Sequence, residues 1–170
     1  MLSSPQLRQL LDYDPATGVF LWKPRANVTR TEKSWNARFA GKLAGRINNQ
    51  GYREIAIFGK LYKASRLAWL YMTGEWPADM IDHQDRNRAN DSFSNLREAT
   101  PAQNSQNAKP RSNKTGFQGV FLHKPSGRFT SQIQVARQRI SLGYFDTPEL
   151  AHQAYVEALS IHHGEFAYPS

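Results

Sequence analysis

This 170-residue sequence predicts an α+β fold in two parts. Two observations carry that prediction. Between 79 and 107 the pattern runs strand, long polar loop, strand, helix: Met80-Ile81 leads into Asp82-His83, an Asn-rich loop follows, then Asn95-Leu96-Arg97-Glu98-Ala99-Thr100, then a helix opened by Thr100-Pro101. Beyond residue 116, three strand-like runs precede one helix, the pattern of a three-stranded antiparallel sheet packed on a helix. Asn107 to Thr115 is polar and basic, without an apolar anchor, and reads as a linker. The boundaries expected are therefore 1–107, a linker at 108–115, and 116–170.

Ser4-Pro5 opens a short helix with Leu7, Leu10 and Leu11 on one side. Asp12 to Gly18 has turn chemistry, and Val19-Phe20-Leu21-Trp22 reads as a strand. From Lys23 to Lys42 no period is evident; basic residues alternate with Trp35 and Phe39, which suits either an extended arm on DNA or a loop packed over the core. Residues 43–47 and 52–58 read as strands joined by Asn48-Asn49-Gln50-Gly51, and 61–63 follow after a turn at Gly59-Lys60, completing a β-rich N-terminal extension. Ala64 to Thr73 reads as a helix stopped by Gly74.

In the C-terminal part the strand runs are 117–123, 128–135 and 139–144. The middle run alternates, with Phe129, Ser131, Ile133 and Val135 on one side and Arg128, Thr130, Gln132 and Gln134 on the other. Asp146-Thr147-Pro148-Glu149 caps a helix whose Ala151, Ala154 and Ala158 form a small-residue stripe able to lie flat on the sheet.

The net charge of +8 and pI near 9.9 point to a polyanionic partner. Between Lys23 and Arg66 there are eleven Lys or Arg against Glu32 and Glu54 alone, so the charge is concentrated rather than spread. After Arg111, all five basic residues precede all four acidic ones, leaving a basic sheet and an acidic helix. The absence of cysteine excludes disulfides and thiolate zinc sites. No membrane span or signal peptide is read, so a cytoplasmic protein is expected, with double-stranded DNA as partner, no membrane, no small-molecule cofactor, and a monomeric state.

The strand–loop–strand–helix stretch can gather Asp82, His83 and Asn104. A carboxylate and an amide oxygen are hard ligands that suit Mg²⁺ or Mn²⁺. Neutral His83 can take a proton from water, since imidazole titrates near about 6.5. Taken alone, an Asp-His pair in a loop is more often a capped turn than an active site. The order Asp-His, polar loop, Asn-Leu-Arg-x-Ala-Thr, then a helix carrying Asn resembles the HNH endonuclease family, in the variant common in phage-borne homing endonucleases. The resemblance runs from about 62 to 107. It implies a ββα-metal module, one divalent ion (Mg²⁺ or Mn²⁺) on Asp82 and Asn104, His83 as general base, and Asn95 as the asparagine that holds the base-bearing loop, with Asn90 as the alternative. Relatives often have His where this chain has Ser65. Arg66, Arg86 and Arg88 around the motif, with Lys109 and Arg111 in the linker, are the expected backbone contacts.

The last part resembles the Apetala-two (ethylene-response-factor) domain through Gly119-Val120, Gly127-Arg128-Phe129, Leu142-Gly143-Tyr144-Phe145-Asp146-Thr147, Ala151, Ala154-Tyr155 and His163-Gly164-Glu165-Phe166-Ala167. This implies a DNA-binding sheet, with Lys124, Arg128, Gln132, Gln134 and Arg139 as its contacts. The reading is a metal-dependent DNA endonuclease with a homing role; a non-catalytic DNA-binding regulator that kept the fold is the alternative.

Overall fold

Ser3 accepts from the Gln6 backbone N–H while the Gln6 side chain returns to the Ser3 N–H, and this capping box starts helix α1 (Ser4–Leu10). The computed structural model describes residues 1–170 except 27, 107–113, 137 and 165–170, and leaves the side chains of 105 and 106 undescribed. The chain forms two compact units, Met1–Pro101 and Ala102–Ser170.

In the first unit, α1 runs into β1 (Leu11–Asp14), which pairs antiparallel with β2 (Val19–Trp22). The segment expected to be a turn from Asp12 is therefore strand as far as Asp14. Leu11 and Tyr13 point inward and Asp12 and Asp14 outward, a two-residue period too short to stand out beside the Asp-Pro that follows. Helix α2 (Arg30–Phe39) occupies part of the stretch that showed no period. It buries none of its residues; its start is set by a capping box between Thr29 and Glu32. Trp35 meets Trp22 edge-on at 5.6 Å and lies under the Arg25 guanidinium at 4.0 Å.

β3 (Arg46–Ile47), β4 (Arg53–Ile57) and β5 (Lys60–Lys63) form an antiparallel sheet in the order β3-β4-β5. The strand expected from 43 is shorter than its sequence suggested, since Leu43 makes only a bridge to Leu21. Helix α3 (Ala64–Thr73) ends at Gly74 in the left-handed region, where its N–H still reaches Leu70 O. β6 (Met80–His83) and β7 (Leu96–Ala99) pair antiparallel, with a single 3₁₀ turn at Phe93–Asn95 before β7. One core joins these pieces: Leu7, Leu11 and Phe20 from the first turns, Ile55 from β4, Leu67 and Leu70 from α3, and Leu96 from β7. Each of these side chains contributes about 1.5–3 kcal/mol by leaving water. The N-terminal extension thus shares its core with the strand pair that carries Asp82 and His83.

Helix α4 (Pro101–Gln106) starts at the last residue of the first unit, and the second unit contains the sheet β10-β9-β8, made of β8 (Val120–His123), β9 (Arg128–Val135) and β10 (Gln138–Phe145). Helix α5 (Pro148–His163) starts at Thr147, whose hydroxyl accepts from Leu150 N–H, and packs on the sheet through Ile133, Tyr155, Ala158 and Leu159. Ala151 is fully buried, as the small-residue stripe requires. At Gly119 (φ +72°) a Cβ would lie 2.1 Å from the Tyr155 ring, so only glycine lets β8 approach α5 this closely.

Candidate active site

In the β6–β7 register Asp82 stands opposite Arg97 and His83 opposite Leu96. Cross-strand neighbours lie close enough for their side chains to meet. Arg97 accordingly donates to Asp82 Oδ2 from Nε at 3.0 Å and from Nη2 at 2.9 Å. The pair is largely removed from water, with side-chain exposures of 13% for Arg97 and 5% for Asp82. His83 is buried too, and its Nε2 lies 3.1 Å from Oδ1 of Asp91, itself 2% exposed. With the proton on Nε2, the basic lone pair falls on Nδ1. The Tyr52 ring lies 5.9 Å from the imidazole and carries Lys63 Nζ at 3.8 Å and the Arg88 guanidinium at 5.0 Å from its centre. Two cations therefore sit one ring away from His83, as a phosphate-handling site would use.

The loop between the strands is organised by Asp85 and Asn95. Asn95 Nδ2 donates to Asp85 Oδ1 at 2.9 Å and to Asn90 O at 2.8 Å, while its Oδ1 accepts from the Asp85 N–H at 2.9 Å. Asp85 also accepts from the Asn87 N–H at 2.8 Å and from Asn90 Nδ2 at 2.7 Å. Burial pushes the Asp85 carboxyl up, but the hydrogen bonds from Asn90, Asn87 and Asn95 outweigh it and hold it below the usual carboxylate range. Asn95 thus ties together both halves of the loop that follows His83.

The other expected residues are placed as follows. Arg66 donates to the carbonyls of Asp79 at 2.7 Å and Pro77 at 3.3 Å, bracing the connection into β6. Arg88 donates to Gln50 O at 3.0 Å, and Arg86 is half-buried with a left-handed φ of 63°. Ser65 is buried in α3. Asn104 is half-buried in α4, in the second unit. Lys109 and Arg111 lie outside the described residues, as does most of the expected linker.

Within the second unit, Arg139 faces Gln134 across the β9–β10 pair. Arg128 lies six residues from Gln134 along β9, about 20 Å at strand spacing, and is held by Asp146 at 2.9 Å and Tyr144 O at 3.2 Å. The two arginines expected to reach one groove together therefore stand at opposite ends of the sheet. Lys124 is exposed in the β8–β9 turn and Gln132 lies between the arginines.

Asp91 and Arg97 did not emerge from the sequence as site residues. Arg97 sits within the Asn-Leu-Arg run, where the antiparallel register opposite Asp82 would have pointed to it. Asp91, in an Asn-Asp-Ser loop, looks like any turn residue; nothing local singles it out.

Metal chemistry fits the donors in kind. Asp82 supplies a buried carboxylate balanced by a cation in this structure, and carboxylate and amide oxygens are what Mg²⁺ or Mn²⁺ takes. Among the described residues no group of three or more His, Cys, Asp or Glu gathers around a common point. No helix among them is long and apolar enough to cross a membrane.

A model of the HNH endonuclease family matches residues 62–106. The chain is 32% identical over 127 residues to an uncharacterized HNH endonuclease of Acanthamoeba polyphaga mimivirus, a match covering 73% of this chain and 65% of that protein. It is 31% identical over 115 residues to Protein 3.8 of Escherichia phage T7, covering 65% of this chain and 94% of that protein. The chain carries an HNH endonuclease segment at residues 62–106. It spans about two thirds of the mimivirus relative's length (65%). A solved structure titled "DNA binding and cleavage by the HNH homing endonuclease I-HmuI" aligns over 91% of this chain and 85% of that one, at 19% identity and a TM-score of 0.40, a likeness of shape too weak to build on.

Proposed function

We propose that this protein is a metal-dependent DNA endonuclease that hydrolyses phosphodiester bonds, with homing as its biological role. The observation that carries the reading is the His83 imidazole, fixed against Asp91 at the end of β6 inside the matched family motif. Asp82 supplies a buried carboxylate that would hold Mg²⁺ or Mn²⁺. When bound, the ion supplies Lewis-acid stabilisation of the charge that develops on the leaving 3′ oxygen. His83 takes the proton of the attacking water at Nδ1, and Asp91 stabilises the imidazolium that results. Asn95 keeps the loop after His83 in register, and Lys63 and Arg88 raise the positive potential beside the base.

Residues 1–107 are the nuclease module in this reading, and 116–170 are an Apetala-two-like module that grips double-stranded DNA through the sheet face opposite α5. Its outer residues Gln132, Gln134 and Arg139, flanked by exposed Phe121 and Tyr144, support that use, since amides and guanidinium groups read base edges. Incubating supercoiled plasmid with the protein and millimolar Mg²⁺ tests the whole. Nicked or linear product is expected, lost in chelator and reduced about 10²–10⁴-fold by His83→Ala with DNA affinity kept. Unchanged plasmid under every condition, with DNA binding retained, would leave the non-catalytic regulator.

A further inference from the structure

Asp91 is a buried carboxylate that the family motif does not account for. Oδ1 faces His83 Nε2, while Oδ2 is buried and has no hydrogen-bond partner among the described residues. Keeping a half-satisfied carboxylate out of water costs stability, so it calls for a reason beyond folding. Its backbone is gripped from far away in the chain. Tyr13 Oη donates to Asp91 O at 2.7 Å in a buried contact spanning 78 positions. Phe93 N–H donates to Pro15 O at 2.9 Å. Gly18, at φ +73°, lies so close that a Cβ there would stand 2.3 Å from the Asp91 carbonyl carbon and 2.4 Å from the Ser92 nitrogen. All three gripping residues belong to β1, β2 or the turn between them, ahead of the matched segment that begins at 62.

Tyr13 is well fixed for this task. Its ring stacks on Phe20 at 4.5 Å and meets Tyr71 edge-on at 5.5 Å. Burial, then the charges of Asp91 and Asp14, push its phenol far above the ordinary tyrosine value, so it stays a donor at any working pH.

We propose that the β1–β2 hairpin is a built part of the nuclease centre: Tyr13 and Gly18 are positioning residues that hold Asp91, and Asp91 in turn holds the ring and tautomer of His83. The proposal rests on the reading of His83 as general base. Small displacements of a base cost rate steeply; a shift of about 1 Å is worth on the order of 10²-fold.

The test uses the full chain with Tyr13→Phe, which keeps the ring stack and removes one hydroxyl, alongside Asp91→Asn and Gly18→Ala. Nitrogen NMR of the His83 side chain reports its tautomer without any need for activity. Wild type should show the proton on Nε2, and both Tyr13→Phe and Asp91→Asn should move that signal toward a tautomer mixture. Single-turnover plasmid cleavage by Tyr13→Phe should fall by roughly 10- to 10²-fold with DNA affinity unchanged. In a His83→Ala background, Tyr13→Phe should cost nothing further. An unmoved His83 signal in Tyr13→Phe, or a loss that simply adds to that of His83→Ala, overturns the brace. Cleavage that survives His83→Ala instead overturns the general-base reading, and the NMR arm keeps the two failures apart. Gly18→Ala should lose cleavage or folding; a folded, fully active Gly18→Ala would also refute the grip.

Discussion

Removing the Arg97 guanidinium is the most direct probe of what Asp82 needs. The pair is held at 2.9 and 3.0 Å with side-chain exposures of 13% and 5%, so Arg97→Met takes this guanidinium away from a buried carboxylate at nearly constant side-chain volume. Unit charges about 4 Å apart attract by about 4 kcal/mol at an effective dielectric of about 20. Breaking a buried pair from one side costs about 3–5 kcal/mol in measured cases. For a unit the size of Met1–Pro101, about 3 kcal/mol corresponds to a fall of at least roughly 12 °C in melting temperature. Thermal melts followed by circular dichroism, with and without millimolar Mg²⁺, read this out. On the proposed metal reading, magnesium should recover more of the loss in Arg97→Met than it adds to wild type, because the ion would take the place of the guanidinium beside the carboxylate. The double variant Asp82→Asn/Arg97→Met should regain most of the stability, since removing both partners leaves no lone charge. A single variant that melts like wild type, or a double variant as unstable as the single, would refute the reasoning.

Asp85, held below the usual carboxylate range, stabilises the folded state most fully above its unfolded value of about 3.9, and that contribution is lost as pH falls through the lower folded value. Asp85→Asn should therefore flatten the acid limb of the stability curve below about pH 4, and an identical limb in both proteins would count against it. Phe58 is 74% exposed at a hairpin tip with φ 50°, a conformation asparagine tolerates better; Phe58→Asn should stabilise by about 1 kcal/mol, and a lower melting temperature would contradict the turn assignment. In the second unit Asp146 neutralises Arg128. Asp146→Asn should steepen the salt dependence of DNA binding by about one unit while Arg139→Ala flattens it by about one; slopes that do not move would take both arginines off the phosphates.

The elements that sequence reading found were those whose burial follows a period. Helix α3 announces itself through Leu67, Ala68 and Leu70 with Gly74 behind them, and β9 through Ser131, Ile133 and Val135. Helix α2 escaped because it buries no residue, so hydrophobic period carried no signal; only Thr29 and Glu32 spelled its start. Asp82, His83 and Asn95 were legible because they fall in an ordered motif. Asp91 was not, since its meaning comes from His83 eight positions away and from Tyr13 at a distance of 78, and neither contact leaves a local trace. Similarly, the wide separation of Arg128 and Arg139 follows from the β9–β10 register, which a list of strands cannot supply.

The grip of Tyr13 on Asp91 also sets an order of events during synthesis. The hairpin leaves the ribosome 78 residues before the loop it must hold, and it waits without that partner until the β6–β7 pair has followed it. Contacts of such long sequence separation close late, because the entropy of the intervening chain has to be surrendered first. A chain interrupted before residue 91 therefore carries Asp82 and His83 without the Asp91 carboxylate that meets the imidazole. The contact between Tyr13 and Asp91 closes only after the β6–β7 loop has been made.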